Sequence, residues 1–171
     1  MAHVALTAEA EAVTQESPDE RPKRLVIVLT KGTLDEAYPA FILATTGAAT
    51  GMEVDVYFTF WGMTLLDKRT ATKIKLSPVG NPAMGMPDFL AVLPGMTMLA
   101  TLMMKKKIKK YWPTIPEMMA QATDMGVKLH ACSPTMGLMG LKEKDLIPGV
   151  DIVGASAFLG CATDNAVTIF I

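Results

Sequence analysis

The sequence predicts one α/β domain, an open, doubly wound sheet of five parallel strands with helices on both faces. Residues 25–29 form an unbroken β-branched and aliphatic run, which is typical of a strand covered on both faces. A helical segment and a second strand follow before residue 61, and a strand–helix–strand unit of this kind requires parallel strands. At 171 residues the chain is long enough for one core and too short for two domains.

Helical periodicity follows the first strand. Apolar residues recur every three or four positions over residues 34–49, and Gly51 stands where a glycine commonly ends a helix. Pro39 conflicts with this helix, because a proline beyond the first turn removes a backbone hydrogen bond. The sequence therefore predicts a helix that is either kinked at Pro39 or irregular in its first turn.

The remaining elements continue the alternation of strands and helices. A strand is predicted over residues 53–60, where apolar and polar residues alternate, and a helix over residues 116–124 ends at Gly126. Three further strands are predicted over residues 127–131, 150–154 and 166–171. No internal repeat interrupts this order, so residues 24–171 are predicted to form the domain.

Two segments differ in composition from the rest of the chain. Residues 1–23 carry few large apolar side chains, so we expect a flexible N-terminal tail. Residues 62–113 form a long insertion that holds seven of the 14 methionines and a lysine cluster at 105–110. This insertion provides either an adaptable contact surface or a helical hairpin buried in an oligomer. The lysines are expected to form a solvated face, or else to dock on an acidic partner or a membrane.

Charge and cysteine content exclude several classes of function. The net charge of −1 and the pI near 6.1 give no general attraction to nucleic acid, so no nucleic-acid partner is expected. The apolar run at 90–104 is interrupted by Pro94-Gly95 and is too short to span a bilayer. Two cysteines cannot form a disulfide framework, and the start of the chain lacks a signal-peptide pattern. We therefore expect a cytoplasmic, reducing location.

Cys132 is the candidate nucleophile. Sites in open parallel sheets form beyond the carboxyl ends of the strands, and Cys132 directly follows the third predicted strand. Ser133 followed by Pro134 has the pattern of a helix N-cap, and backbone N–H groups at a helix start favour a thiolate and lower its pKa. The alternative is a cysteine that only packs in the core.

Further residues are assigned to this site from their positions. Ser133 and Thr135 are predicted to stabilise the thiolate, while Trp61 and Lys31 are predicted to line the site at the ends of other strands. Cys161 lacks a comparable helix start and is predicted as a second or resolving thiol.

Other chemistries find little support in the sequence. Lys31-Gly32-Thr33 resembles part of a phosphate-binding loop but lacks the full glycine spacing. His130 stands two positions before Cys132 without a second such pair, so a metal is not expected and His130 is predicted to be a hydrogen-bonded strand residue. No serine–histidine–aspartate set can be assigned. We expect neither a metal nor an organic cofactor.

Several short blocks are distinctive in combination. They are the first strand and helix through residue 51, Gly51-Met52-Glu53-Val54, Phe58-Thr59-Phe60-Trp61-Gly62, the Met- and Lys-rich insertion, residues 126–132, Met136-Gly137-Leu138-Met139-Gly140, and residues 167–171. Together they resemble the DsrE/DsrF-like family, specifically its longer branch of DsrE-like sulfur carriers or sulfurtransferases, sometimes labelled peroxiredoxin-like. The resemblance covers most of the domain. No peroxidatic motif is present.

The resemblance implies a flavodoxin-like sheet, a homo-oligomer (a trimer or another assembly), and sulfur trafficking with rhodanese-like and TusA-like partner proteins. It transfers one functional position, the cysteine after the third strand, which is Cys132 in this chain. Cys161 matches no position in the family.

Three functional hypotheses follow. In the first, Cys132 carries sulfane sulfur between partner proteins as a persulfide, with little multiple-turnover activity of its own. In the second, Cys132 and Cys161 form a reversible disulfide in a thiol redox protein. In the third, the protein is a non-catalytic scaffold that docks on a partner or a membrane through its insertion.

Overall fold

All five predicted strands form one parallel sheet in the computed structural model, which describes residues 23–77 and 95–171. The strand order is β4-β3-β2-β1-β5, and every neighbouring pair is parallel. The strands are β1 (Arg24–Leu29), β2 (Glu53–Phe58), β3 (Lys128–Cys132), β4 (Val150–Val153) and β5 (Ala166–Phe170). This confirms the predicted α/β fold of the flavodoxin-like class.

Five α-helices connect or flank these strands within the described residues. They are α1 (Leu34–Ala49), α2 (Met96–Ile108), α3 (Ile115–Asp124), α4 (Ser133–Met139) and α5 (Ala155–Ala162), with 3-10 helices at Phe60–Leu65 and Glu143–Asp145. Helix α1 continues through Pro39 as a single helix. The predicted tail up to residue 22, and residues 78–94 of the predicted insertion, lie outside the described residues.

The first face of the sheet holds the main core. Leu25, Ile27 and Leu29 of β1 lie in this core beneath α1 and α3, whereas Val26 and Val28 point to the second face. Large, fully buried side chains of the first face include Phe41, Phe58, Met63, Leu65, Leu66 and Leu129. Helices α1 and α3 therefore cover a densely packed apolar layer.

The second face is more polar and carries helix α5. Because β4 and β5 are the two edge strands, the chain between them crosses this face. Phe158 of α5 meets Tyr57 edge-on, with ring centres 4.8 Å apart, and His130 stacks on Tyr57 at 4.5 Å. Helices thus lie on both faces of the sheet, as predicted.

The carboxyl edge of the sheet brings Thr59, Cys132 and Gly154 together. They stand at or directly after the ends of β2, β3 and β4, which are neighbours in the sheet. The predicted strand over residues 53–60 ends two residues early, because Phe60 adopts a left-handed conformation with φ 48° and begins a 3-10 helix. That 3-10 helix packs against the end of β1, where the Gly62 N–H donates to the Thr30 carbonyl at 3.0 Å.

Candidate functional site

Cys132 occupies the junction between a strand and a helix. It is the last residue of β3, pairs with Val153 of β4, and is the N-cap residue of α4. The sequence pattern had predicted Ser133 as the N-cap, but Ser133 is already the first helical residue, so the helix begins one residue earlier. The thiol is free and partly exposed. Cys132 is therefore accessible and is not a packed core residue.

Hydrogen-bond donors around the sulfur favour its thiolate form. Burial alone would raise the pKa of Cys132, but hydrogen bonds from the hydroxyl and backbone N–H of Thr135 and from the Thr59 hydroxyl outweigh it and lower the pKa. The two threonine hydroxyl oxygens lie 3.1 Å apart, and Thr135 is 5% exposed. The site thus combines Cys132 with two neighbouring threonine hydroxyls.

Thr59 was not among the site residues predicted from the sequence, although it lies inside the Phe58–Gly62 block that carried the family resemblance. Its position directly after β2, the strand next to β3, is what places it beside Cys132. The signal that could have identified it is a hydroxyl residue at the end of a strand adjacent to the one carrying the cysteine.

A largely apolar cavity of about 210 Å³ opens beside Cys132 on the second face of the sheet. Apart from Cys132 itself, Tyr57 contributes the one ionisable side chain among its lining residues. The cavity is lined by Val28, Tyr57, Phe58, Thr59, Cys132, Val153, Gly154, Ala155, Phe158 and Phe170. It is open to solvent at its rim, where Phe170 is 69% exposed.

A second apolar groove includes Thr135 in its lining. It is formed by Phe60, Trp61, Thr135, Leu138 and Met139 and has a volume of about 390 Å³. Trp61, predicted to line the site, lies in this adjacent groove and is 63% exposed. Phe60 combines exposure with a strained backbone conformation, a feature often found at binding sites.

The other predicted site residues are placed differently. Ser133 lies next to Cys132 with its hydroxyl facing Gly154, while Thr135 and Thr59 provide the hydrogen bonds that lower the cysteine pKa. Lys31 is exposed and pairs with Glu36 at 2.8 Å, so its ammonium group does not line the cavity of Cys132. The structure therefore brings Ser133 and Thr135 to the cysteine, and not Lys31.

Cys161 lies on α5, one turn beyond Phe158, and does not line the cavity of Cys132. Its thiol is free and forms a hydrogen bond with the Tyr57 hydroxyl. The pKa of Tyr57 is raised mainly by burial and to a smaller extent by this hydrogen bond. Cys161 is also close enough to Arg24, the first residue of β1, to interact with it electrostatically. The two cysteines thus occupy different surroundings. Phe158 lines the cavity of Cys132, whereas Cys161 on the same helix does not.

His130 forms part of a buried polar group behind the cavity. Its Nε2 atom lies 2.7 Å from Oδ1 of Asp55, and both side chains are buried. His130 is therefore a hydrogen-bonded strand residue, as predicted. In the parts of the chain that the structure describes, no three His, Cys, Asp or Glu side chains are grouped so as to hold a metal ion.

Helix α2 exposes an apolar stripe in the insertion. Met98, Leu99, Leu102 and Met103 lie on two successive turns, are each more than half exposed, and precede the lysine cluster that begins at Lys105. No helix within residues 23–77 and 95–171 has the length and apolar character needed to cross a membrane.

Comparisons with known proteins identify the chain's relatives. A model of the DsrE/DsrF/DrsH-like family matches residues 21–170. Sulfur carrier protein DsrE2 of Allochromatium vinosum is 40% identical over 158 residues, which cover 87% of this chain and 98% of that protein. The uncharacterized protein YrkE of Bacillus subtilis is 35% identical over 162 residues, covering 89% of this chain and 99% of YrkE.

The fold has a counterpart among solved structures. MTH1491 of Methanobacterium thermoautotrophicum, a protein of unknown function, superimposes with a TM-score of 0.56 at 15% identity, covering 86% of this chain and 98% of MTH1491. This likeness supports the fold alone. Since the family model spans nearly the whole chain and both relatives align over most of their length, the chain belongs to the DsrE/DsrF/DrsH-like family.

Proposed function

We propose that this protein is a sulfur carrier that holds sulfane sulfur as a persulfide on Cys132 and passes it to an acceptor thiol. The observation that carries this proposal is the accessible Cys132 thiol, whose pKa is lowered by Thr135 and Thr59 at the mouth of an apolar cavity. A thiolate is the form of cysteine that attacks sulfur, and the same donors suit a persulfide anion.

The exchange needs no cofactor. The Cys132 thiolate attacks the outer sulfur of a donor persulfide R–S–SH, a new sulfur–sulfur bond forms, and the donor leaves as R–S⁻ with the bonding electron pair. The product is the Cys132 persulfide. In the second half of the reaction an acceptor thiolate attacks the outer sulfur in the same way, and Cys132 leaves as a thiolate stabilised by the two threonines.

One of the relatives supports the carrier proposal by its name. A chain 40% identical over nearly its whole length is named a sulfur carrier protein. We extend the proposal to rhodanese-like donors and TusA-like acceptors, which would approach Cys132 from solvent. The exposed Phe60, Trp61 and Leu138 around the second groove provide an apolar surface beside the cysteine for such a partner.

The geometry supports the hypothesis of a reversible disulfide less well than it supports the carrier. A disulfide requires the two Cα atoms to lie within about 7 Å of each other. Cys161 stands one turn further along α5 than Phe158, and its thiol is engaged by Tyr57 while Cys132 faces the cavity. The two sulfurs therefore do not share a cavity, which favours the carrier over the redox hypothesis.

Intact-protein mass spectrometry after brief exposure to polysulfide tests the proposal. We expect adducts in steps of one sulfur mass on the wild type and on Cys161→Ser, removed by a reducing thiol and absent from Cys132→Ser. Loss of the adduct in Cys161→Ser alone would place the carrier on the other cysteine. If no variant forms an adduct, the carrier proposal is wrong and docking through the exposed stripe of α2 becomes the leading hypothesis.

A further inference from the structure

The cavity beside Cys132 is far larger than a single persulfide sulfur requires. Its volume is about 210 Å³, whereas a water molecule takes up about 30 Å³ in the liquid. A sulfur atom is of similar size, so the cavity has room for several such atoms in line with Cys132. The cavity therefore has room for a larger occupant than one sulfur.

The lining of the cavity restricts the chemistry of that occupant. Tyr57, Phe158 and Phe170 provide aromatic rings, and the remaining walls are mainly aliphatic. No lysine, arginine, aspartate or glutamate lines the cavity, so a charged group drawn into it would lose hydration without gaining an ionic partner. A substrate with carboxylates or ammonium groups is therefore disfavoured inside the cavity.

A chain of sulfane sulfur fits these walls. The internal atoms of such a chain are neutral and polarisable, and divalent sulfur makes favourable contacts with aromatic rings. The charge resides on the terminal sulfur, which can remain at the solvent-exposed rim near Phe170. The covalent root of the chain at Cys132 keeps the hydrogen bonds from Thr135 and Thr59.

We propose that Cys132 carries a polysulfane chain of two or more sulfane sulfur atoms that lies in this apolar cavity, an inference that rests on the proposed carrier function. The chain grows by repetition of one step. The Cys132 persulfide loses its proton to water, and its outer sulfur attacks the outer sulfur of a second donor persulfide R–S–SH. A sulfur–sulfur bond forms, the donor bond breaks, and R–S⁻ leaves with the electron pair, giving Cys132–S–S–SH.

The test fills the cavity without touching the cysteine. Ala155 and Ala157 are both exposed residues of α5, and of the two only Ala155 lines the cavity. Ala155→Leu and Ala157→Leu add the same side chain two positions apart, so Ala157→Leu is the matched control. Both variants and the wild type are exposed to inorganic polysulfide, and the number of sulfur atoms on Cys132 is counted by intact-protein mass spectrometry.

We expect adducts of two or more sulfur atoms on the wild type and on Ala157→Leu. In Ala155→Leu these fall to background while the one-sulfur adduct remains. Ala155→Val fills less of the cavity and should give an intermediate distribution, which keeps the test available if leucine disturbs the helix start. Circular dichroism and the alkylation rate of Cys132 show that each variant is folded and has a reactive thiol.

Three results would overturn the inference, and one of them separates it from the carrier proposal. A wild type with one sulfur only refutes the polysulfane chain but leaves the persulfide carrier intact. An unchanged distribution in Ala155→Leu shows that the chain does not lie in the cavity. The absence of any adduct that depends on Cys132 refutes both proposals.

Discussion

At the scale of single residues, the chemistry proposed for Cys132 depends on two threonine hydroxyls. Each hydroxyl carries one hydrogen and can also accept a hydrogen bond. The Thr135 hydroxyl donates a hydrogen bond to the cysteine sulfur. Its oxygen accepts a hydrogen bond from the backbone N–H of Phe60, with 3.4 Å between the nitrogen and the oxygen. The N–H of Phe60 thus helps to orient the Thr135 hydroxyl toward the sulfur. We therefore assign Thr135 as the main hydrogen-bond donor to the thiolate.

Thr135→Val removes this hydroxyl and keeps the shape of the buried side chain. Burial of Cys132 raises its pKa and remains in the variant, while the hydrogen bond that lowers the pKa is lost, so the pKa of Cys132 rises. We expect slower alkylation of Cys132 near neutral pH and an unchanged plateau at high pH, where the thiolate forms in either protein. The measurement is the pH dependence of the alkylation rate.

Thr135→Ser retains the hydroxyl and should restore a profile close to that of the wild type. If Thr135→Val leaves the pH midpoint unchanged, the backbone N–H and Thr59 are sufficient to hold the thiolate, and the assignment of Thr135 is wrong. Equal slowing at all pH values would instead indicate a change in access to the sulfur.

The position of Cys132 between a strand and a helix could be predicted from the sequence, whereas its neighbour Thr59 could not. Cys132 follows an apolar strand and precedes a proline at a helix start, and both signals are local. Thr59 reaches the sulfur because β2 and β3 are neighbours, although about 70 residues separate them in the chain. Contacts between distant segments depend on sheet order, which the local pattern does not specify.

At the scale of elements, the 3-10 helix Phe60–Leu65 holds one side of the site. It begins directly after Thr59, and its Gly62 lies against the end of β1. A Cβ atom on Gly62 would stand 2.1 Å from the Leu29 carbonyl oxygen, closer than any real contact. Glycine is therefore required at this position by close packing of two backbone segments.

Gly62→Ala should displace the Phe60–Leu65 segment and with it Thr59. We expect a loss of about 1–3 kcal/mol in the free energy of unfolding, as for other overpacked sites. We also expect slower alkylation of Cys132 at neutral pH, since the Thr59 hydroxyl moves away from the sulfur. Denaturant unfolding and alkylation kinetics measure the two effects.

Gly137→Ala is the matched control for this substitution. Gly137 lies in α4, has no atom within 4 Å of an added Cβ, and does not adopt a positive φ. Alanine there should be neutral or stabilising by up to about 1 kcal/mol, because alanine has the higher helix propensity. Equal stability of the two variants would show that the Phe60–Leu65 segment adapts without cost.

The existence of each strand was predictable, but the end of β2 was not. Buried parallel strands have continuous or alternating apolar runs, and these runs located all five strands. Phe60 continues the alternation of β2 in the sequence, yet its backbone leaves the sheet. Helix α2 was not predicted as a separate element either, because its apolar residues are exposed and their pattern does not indicate a buried face.

At the scale of the whole molecule, the unit formed by β4, α5 and β5 is poorly buried. Helix α5 contains no charged residue, yet none of its eight residues is buried, and Leu159 is 56% exposed. Neither β4 nor β5 contains a buried residue either. A helix without a charged face is normally covered by other protein. We therefore propose that a second copy of this chain packs on α5, in keeping with the homo-oligomer that the family resemblance implies.

Leu159→Glu tests this arrangement. A carboxylate at the centre of the uncovered helix would have to be desolvated in an interface, so the variant should shift to the monomer, while the wild type sediments as an oligomer. Leu43→Glu is the control, because Leu43 is also an exposed leucine but lies on α1, away from α5. Sedimentation velocity at several protein concentrations measures the assembly state of all three proteins.

The assembly state also bears on the stability of the proposed persulfide. Ala155 and Phe158 of α5 line the cavity of Cys132, so a copy packed on α5 would cover part of the cavity rim and limit the access of water and small thiols. The Leu159→Glu monomer should then lose its bound sulfur to a reducing thiol faster than the wild-type oligomer. A monomeric wild type, or an unchanged assembly in Leu159→Glu, would show that α5 is not the interface. Equal rates of sulfur loss from oligomer and monomer would show that the neighbouring copy leaves the cavity open.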